Sequence, residues 1–491
     1  MMKKLLSILM VLFMFLMMAF TALAEEPATI VYAWIHMNNM PSDDALASVE
    51  EALSEITTKK IGVRVKLLPL APADINQTID LMLASGEQID VFSYRKAYTQ
   101  AVEKGYYLDI TDLINEYAPD AVAQTGDDFM KCVTINGRVY GLPVDKGVAL
   151  VPNWLYRVDL AEKAGINLDN LNTLEDYTEV FAQFKAAYPE MYPLFVSKGG
   201  AGLLALLKDY KWDKLSDETG ACLIGAEADD GKVVNLYESK EFHDLVTQIH
   251  EWYEAGYISP DAATTTLGDR DAVASGLYWS YFGSNAGNYF ANEASQNIGY
   301  QMDYKQTAQT FLGSNDPAGV IFGINANSKN PEKALQFLNL TYSDVDVVNL
   351  IVYGIYGRDY VLNEDGFVEW PEGYTLNTVP YTSQFACGTV GSQYKQYELA
   401  GVPADNKAKM AWDDEHSARS VALGFAFDTS DVTTEVTMVT NVINQYLNSL
   451  MSGSVEVEST LEAFNKALYD AGMQNIIDAK QAQLDAFLNA Q

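Results

Sequence analysis

The N-terminal part of the chain alternates apolar runs with amphipathic segments. Thr29–Ile35 is an apolar run typical of a buried strand, and Val63–Leu68 alternates like a half-buried strand. Between them, Ser42 offers an N-cap for a helix whose apolar residues recur at a spacing of three or four, namely Leu46, Val49, Leu53 and Ile56. Strands separated by helices of this length predict right-handed βαβ units and a parallel sheet.

The same alternation continues along the chain. Asp74–Ser85 predicts a second helix and Ile89–Ser93 a third strand. Asn136-Gly137 predicts a two-residue hairpin turn, because both residues tolerate a positive φ. Gly319–Asn325 is a further buried-strand candidate. These segments together predict an α/β fold.

The second half of the chain has three distinct stretches. Residues 269–290 are rich in glycine and aromatic residues, which suits a loop that opens on a cavity. Residues 366–415 are polar with little periodicity and are expected to be irregular. The tail is helical by its spacing of apolar residues, with one helix stopped by Gly453 and the last one running from Met473 to Leu488.

The first 24 residues have the order of a secretory signal peptide. Lys3 and Lys4 precede the apolar run Leu5–Phe20, and small residues lead to an expected cleavage after Ala24. The alternative is a retained membrane anchor, but about 16 apolar residues are short against the roughly 20 that span a bilayer. We expect an exported mature chain, secreted or held at the outer face of the cell membrane or in the periplasm.

Composition limits the partners and the chemistry. A net charge of −34 disfavours binding to nucleic acid or to an anionic membrane surface. Cys132, Cys222 and Cys387 are far apart and form no CxxC pair, so no structural zinc site is predicted. No cofactor is predicted either. The pairing of these cysteines and a bound calcium ion stay open.

Common catalytic motifs are missing, but acidic residues are abundant. The chain has no GxSxG elbow, no P-loop and no HExxH motif, since Glu254 stands where the second histidine after His250 would be. Its 66 acidic residues leave room for the carboxylate pair of a glycosidase. A secreted carbohydrate-active enzyme is therefore one function that the sequence leaves open.

Three blocks, in order along the chain, carry a family resemblance. They are Asp90–Leu108, Asn136–Arg157 and Gly319–Leu340, the last containing a helix opened by Ser-Lys-Asn-Pro-Glu-Lys-Ala. Together they resemble the family 1 extracellular solute-binding proteins of carbohydrate ABC importers. Val352–Tyr360 and Leu423–Asp428 resemble a lipoprotein-type, sugar-binding subgroup of that family. This chain departs from the subgroup because no cysteine follows its N-terminal apolar run.

The resemblance implies a fold and a function. The fold is a two-lobed periplasmic-binding-protein-like fold of type II, with lobe 1 at 28–148 plus 320–365 and lobe 2 at 149–319 plus 366–491. The protein would be a monomer without enzymatic activity that captures a solute, expected to be an oligosaccharide, and hands it to the permease of an ABC importer. A non-sugar solute such as a peptide remains an alternative.

Candidate ligand-binding residues are aromatic and polar side chains near predicted strand ends or in the glycine-rich stretch. The aromatic candidates are Trp34, Tyr94, Trp154, Tyr278, Trp279, Tyr281 and Phe425. Tyr278 to Tyr281 and Phe425 are included because the resemblance implies stacking aromatics there; the alternative for every aromatic is core packing. Arg95 offers a planar fork or a surface ion pair, while His36 and Asn38 either bind ligand or cap the following helix.

Overall fold

The computed structural model describes residues 26–95, 98–169, 171, 173–226, 231–383 and 389–490. The expected signal peptide, with its cleavage after Ala24, lies outside these residues, as does Cys387. Cys132 and Cys222 are buried free thiols. Among the described residues, no helix has the length and apolar character needed to cross a bilayer.

The strands are short except for five, which have five to eight residues. In chain order they are β1 (Ala28–Ile35), β2 (Val63–Leu70), β3 (Val91–Phe92), β4 (Thr134–Ile135), β5 (Arg138–Val139), β6 (Leu142–Pro143), β7 (Val151–Arg157), β8 (Tyr192–Phe195), β9 (Ala221–Cys222), β10 (Val234–Asn235), β11 (Tyr278–Asn285), β12 (Met302–Gln306), β13 (Phe311–Leu312), β14 (Ile321–Ile324), β15 (Val361–Leu362), β16 (Val368–Glu369) and β17 (Ala418–Arg419).

The α-helices surround these strands. In chain order they are α1 (Asp43–Ile61), α2 (Ile75–Ser85), α3 (Tyr98–Glu103), α4 (Ile114–Tyr117), α5 (Pro119–Lys131), α6 (Val158–Ala164), α7 (Leu174–Ala187), α8 (Ala201–Leu204), α9 (Lys240–Glu254), α10 (Asp269–Ala274), α11 (Phe290–Ile298), α12 (Pro331–Ser343), α13 (Val345–Tyr353), α14 (Asn406–His416), α15 (Thr433–Met451), α16 (Val457–Asp470) and α17 (Met473–Leu488).

The first lobe is built on a mixed five-stranded sheet with the order β2-β1-β3-β14-β6. β1 runs parallel to β2 and β3, as the βαβ pattern predicts, while β14 is antiparallel to β3 and β6. Ser42 caps α1 as predicted, accepting a hydrogen bond from the backbone N–H of Ala45. The predicted hairpin is also present: Asn136 and Gly137 have φ angles of 51° and 73° between β4 and β5.

The second lobe is built on a four-stranded sheet with the order β12-β7-β11-β8. β7 is antiparallel to both β11 and β12, and β8 lies parallel to β11. The tail helices α15–α17 pack on one face of this lobe through Leu450, Met451, Phe464 and Leu484. α10 and α11 contribute Val273 and Phe290 to a smaller cluster on the other face, next to Tyr281 of β11.

A buried lysine fixes the last helix to the second lobe. Lys480 of α17 is fully buried, forms an ion pair with Asp217 at 2.9 Å and donates to the carbonyl oxygen of Ala221 at 2.8 Å. Burial lowers its pKa, because the charged ammonium loses its hydration. The pair and the backbone acceptor together hold the C-terminal helix in register with the lobe.

Residues 366–491, which follow β15, do not all pack in the same lobe. Val368, Tyr381 and Val390 are buried in the core of the first lobe, although they fall in the segment 366–491 that the resemblance assigned to lobe 2. We therefore propose that the first lobe extends to about residue 400 and that the second lobe resumes after it. Nor is 366–415 irregular throughout, since β16 and most of α14 lie within it.

The two lobes are joined by a hinge segment, residues 144–150, which connects β6 to β7. Its Val144 N–H donates to the carbonyl of Val320 at 2.9 Å, and its Asp145 N–H donates to the carbonyl of Gly391, also at 2.9 Å. The hinge segment therefore lies between the chain segments around Val320 and Gly391, which also run from one lobe to the other. Such a set of crossing segments is the arrangement in which hinge closure around a ligand occurs.

Candidate functional site

Two adjoining cavities lie at the carboxyl end of β11, the position where ligands of α/β sheets bind. The first has a volume of about 290 Å³ and the second, more open, of about 750 Å³. Arg270, Ser284 and Asn285 line both cavities and so mark their junction. The two cavities together can hold an elongated solute of several units.

The first cavity has one wall from each lobe. On the second-lobe side it is lined by Tyr289, Phe290 and Glu293 around the start of α11. On the opposite side lie the hinge segment and residues 393–399, where Tyr397 packs against the first-lobe core. A ligand here would touch both lobes, so its binding would favour the closed arrangement.

Arg270 forms the central polar contact of the site. Its guanidinium makes a two-pronged ion pair with Glu293, both N–O distances being 3.0 Å, and its positive charge acts on the nearby hydroxyl of Tyr281. The planar fork fixes the orientation of both side chains. Burial raises the pKa of Tyr281 to about 12, so its hydroxyl stays protonated. Nearby Asp269 also lines the second cavity, and burial raises the pKa of its carboxyl group.

Helix α14 contacts both walls of the first cavity. Asn406 accepts hydrogen bonds from the backbone N–H groups of Asn288 and Tyr289, at 3.0 and 3.2 Å, and donates to Glu398 at 3.1 Å. Lys407 donates to the carbonyl oxygen of Tyr394 at 3.2 Å, and burial lowers its pKa. One helix thus positions polar groups on both sides of the cavity.

The same helix holds the hinge segment through a partly buried carboxylate. Asp414 accepts hydrogen bonds from the backbone N–H groups of Val148 at 2.9 Å and Ala149 at 2.7 Å. Burial raises the pKa of Asp414 to about 6, and these two hydrogen bonds partly oppose the rise. Ionising this carboxylate costs free energy because of its burial, but the ionised group fixes the position of the hinge backbone at Val148 and Ala149.

Three of the predicted aromatic residues are core residues. Trp34, Trp154 and Trp279 are each fully buried. Trp34 donates its indole N–H to Ser383 at 2.7 Å, and Trp279 stacks on Phe184 with ring centroids 4.4 Å apart. Their burial contradicts the prediction that these rings are presented to a ligand, and core packing, the stated alternative, describes all three.

The other aromatic candidates divide between core and cavity. Tyr278 packs in the small cluster of the second lobe, and Phe425 is buried in its main core. Tyr94 is buried, with its hydroxyl 3.1 Å from Asp80. Tyr281 lines the second cavity and is the one aromatic candidate among the described residues that borders either cavity.

The polar candidates of the first lobe lie near its strand ends, away from the two cavities. His36 is buried and its Nε2 lies 3.1 Å from the carbonyl oxygen of Asn39, while Asn38 donates to the carbonyl of Thr382 at 3.3 Å. Neither caps α1, because Ser42 does. Arg95 is exposed and forms no ion pair with another described residue.

Residues 269–290 line the cavities as predicted, but they form a helix and a strand and not the loop that was expected. The stretch forms α10 and β11, and it supplies Arg270, Ser284 and Asn285 to the junction of the cavities. Its glycine and aromatic content was the signal that pointed to a cavity. The partners from 393–407 carried no sequence signal, because that region showed no periodicity.

The lining suits an uncharged or weakly charged polyhydroxyl solute. Carboxylate, guanidinium, amide and hydroxyl groups stand beside the rings of Tyr289, Phe290 and Tyr397. Convergent polar groups beside aromatic faces are typical of a site that fixes the orientation of a small molecule. The described residues contain no group of three or more His, Cys, Asp or Glu side chains placed to hold a metal ion.

Comparison with known families is consistent with this architecture. Residues 51–352 match the family of bacterial extracellular solute-binding proteins. The chain belongs to this family. Residues 421–489 of this solute-binding protein also match a domain of unknown function. The predicted family membership is therefore confirmed, and it implies an exported protein.

Relatives of this solute-binding protein cover most of its length. A carbohydrate ABC transporter substrate-binding protein of Streptococcus pneumoniae is 25% identical over 451 residues, which are 91% of this chain and 88% of the relative. Among solved structures, the N-glycan transport solute binding protein of S. pneumoniae has a TM-score of 0.80 at 24% identity, covering 94% of this chain and 99% of the other. A human milk oligosaccharide (HMO)-binding, ABC-transporter-associated protein of Bifidobacterium longum infantis has a TM-score of 0.69 at 16% identity, covering 94% and 99%. These similarities confirm the two-lobed fold.

Proposed function

We propose that this solute-binding protein captures an oligosaccharide outside the cytoplasm, closes its two lobes over it and delivers it unchanged to the permease of an ABC importer. The observation that carries the proposal is the first cavity, whose walls come from both lobes and the hinge segment. A ligand in contact with both walls shifts the open–closed equilibrium by its higher affinity for the closed form.

The proposal for a sugar rests on two supports. The cavities combine planar hydrogen-bonding groups, such as the Arg270–Glu293 fork, with tyrosine and phenylalanine rings. In addition, several similar proteins are named for carbohydrate or oligosaccharide binding. The combined volume of the cavities favours an oligosaccharide over a single monosaccharide.

The remaining features of the proposed function follow from export and transport. We propose that the signal peptide is removed after Ala24 and that the mature protein acts as a monomer. We also propose that it has no catalytic activity on its ligand, in keeping with its membership of a family of binding proteins. A permease that recognises the closed form would make ligand binding the signal for transport.

A melting-temperature screen tests the proposal. Purified mature protein is mixed with Man5GlcNAc, a human milk oligosaccharide, kestose or an alginate oligosaccharide, and both the melting temperature and the sugar products are recorded. At a ligand concentration of about 100 times Kd, we expect a stabilisation of about 2.7 kcal/mol with the sugar intact. Release of shorter sugars would instead identify a carbohydrate-active enzyme.

A matched pair of arginine variants locates the site. Arg270→Gln removes the guanidinium group at the junction of the cavities, and we expect a loss of affinity of at least tenfold, about 1.4 kcal/mol. Arg138→Gln removes an exposed arginine that is paired with Asp109 in the first lobe, away from the cavities, and should leave affinity unchanged. Equal effects of the two substitutions would contradict the proposed location.

A further inference from the structure

Asn153 is a buried polar residue in the middle of the second-lobe sheet. It lies on β7, opposite Gly283 of β11 on one side and Gln306 of β12 on the other. Its side chain is fully buried, and its carboxamide oxygen has no hydrogen-bond partner. A leucine of similar size would fill this position without an unpaired oxygen, so stability alone does not call for an asparagine here.

The amide nitrogen of Asn153 makes two hydrogen bonds. It donates to the backbone carbonyl of Val151 at 2.8 Å and to the side-chain oxygen of Asn285 at 3.2 Å. A backbone carbonyl can only accept, so the nitrogen and not the oxygen of Asn153 must face Val151. With that orientation fixed, the atom of Asn285 that faces Asn153 must be its oxygen.

Gly283 lies beside this contact. In an antiparallel pair, Asn153 and Asn285 are diagonal neighbours on the same face, and Gly283 lies beside the line between them. A Cβ atom at Gly283 would lie 3.7 Å from the side-chain oxygen of each asparagine. These are ordinary van der Waals distances, so the two amide groups and Gly283 are closely packed on this face of the sheet.

We propose that Asn153 is a positioning residue that turns the Asn285 amide so that its oxygen points to the sheet and its N–H₂ group to the ligand. Asn285 lines both cavities at their junction. Among the described residues, no protein group accepts a hydrogen bond from its nitrogen. The site thus presents a fixed donor where the cavities meet, suited to an oxygen acceptor on the sugar. This inference rests on the proposed function, because it assumes that the ligand occupies these cavities.

A double-mutant cycle tests the role of Asn153. The probe is whichever of the four sugars named above gives the largest melting shift with the wild-type protein, and Kd is measured by calorimetry. We expect Asn153→Leu to weaken binding about tenfold in the wild-type background but not in the Asn285→Ala background.

The control cycle uses a cavity residue that Asn153 does not contact. Asn297 lines the second cavity and is exposed, so Asn153→Leu and Asn297→Ala should be additive. Additive losses in the Asn153/Asn285 cycle as well would overturn the inference while leaving the proposed function intact. Failure of all four sugars to bind the wild-type protein would count against the proposed function instead.

A ligand-free measurement tests the inference separately. With ¹⁵N-labelled asparagine, the side-chain N–H₂ protons of Asn153 should exchange slowly with water and those of Asn285 rapidly, since only the former are buried and bonded. Asn285→Ala should speed the exchange of one Asn153 proton. Rapid exchange of both Asn153 protons in the wild-type protein would overturn the inference without any sugar.

Discussion

Trp279→Ala distinguishes a core tryptophan from a ligand-stacking one. The ring is fully buried, lies face to face with Phe184 at 4.4 Å and edge-on to Trp154 at 5.1 Å, and its indole N–H donates to the carbonyl of Arg157 at 2.9 Å. Truncating a buried tryptophan to alanine typically costs about 3–5 kcal/mol, from lost burial and from the cavity left behind. The indole hydrogen bond to the carbonyl of Arg157 is also lost, which adds to this cost.

The assay combines urea unfolding with calorimetric binding at a temperature where both proteins are folded. We expect a lower free energy of unfolding for Trp279→Ala and an unchanged Kd for the oligosaccharide. Trp412→Ala is the control, because this tryptophan is 54% exposed and a surface substitution usually changes stability by less than about 1 kcal/mol. An intact free energy of unfolding together with lost binding would refute the core assignment of Trp279.

Three further predictions concern the hinge, the cavity wall and the last helix. The folded-state pKa of Asp414 is raised from 3.8 to about 6, so the wild-type protein loses stability as the pH rises through that window. In urea titrations between pH 4 and 7, the stability of Asp414→Asn relative to wild type should therefore rise by up to about 3 kcal/mol. A difference that does not change with pH would contradict this. A Cβ at Gly202 would lie 1.9 Å from the carbonyl oxygen of Phe282, so Gly202→Ala should displace the second cavity's wall and weaken binding in calorimetry, and an unchanged Kd would speak against that cavity. Lys480→Met leaves Asp217 unpaired and should lower the free energy of unfolding by about 3 kcal/mol, seen as a lower melting temperature. Adding Asp217→Asn should restore the melting temperature. If it does not, the loss of the ion pair is not the cause.

Local structure was largely predictable from the chain because it depends on short-range rules. The apolar run before Ser42, the cap at Ser42 and the Asn136-Gly137 turn each specify a nearby backbone shape, and each is present. The mixed direction of β14 in the first sheet was not predictable in this way, because pairing across more than 200 residues leaves no local pattern.

The candidate site was predictable only in outline. Aromatic residues near predicted strand ends were expected to face a ligand, yet Trp34 and Trp279 are covered by neighbouring elements, which residue type and spacing do not reveal. Arg270 and Glu293 meet because α10 and α11 flank β11, a consequence of topology and not of spacing. The glycine- and aromatic-rich stretch 269–290 was the useful signal, since glycine in a strand often marks close approach of a ligand or of another chain segment.

A crystal structure of the mature protein with bound oligosaccharide tests the central claim most directly. The account predicts an intact sugar between the lobes, with one unit against Arg270, Ser284 and Asn285 and contacts to residues 393–399 on the opposite wall. A sugar bound solely at the ends of β1 and β3, near His36 and Arg95, or one held by a single lobe without closure, would contradict it.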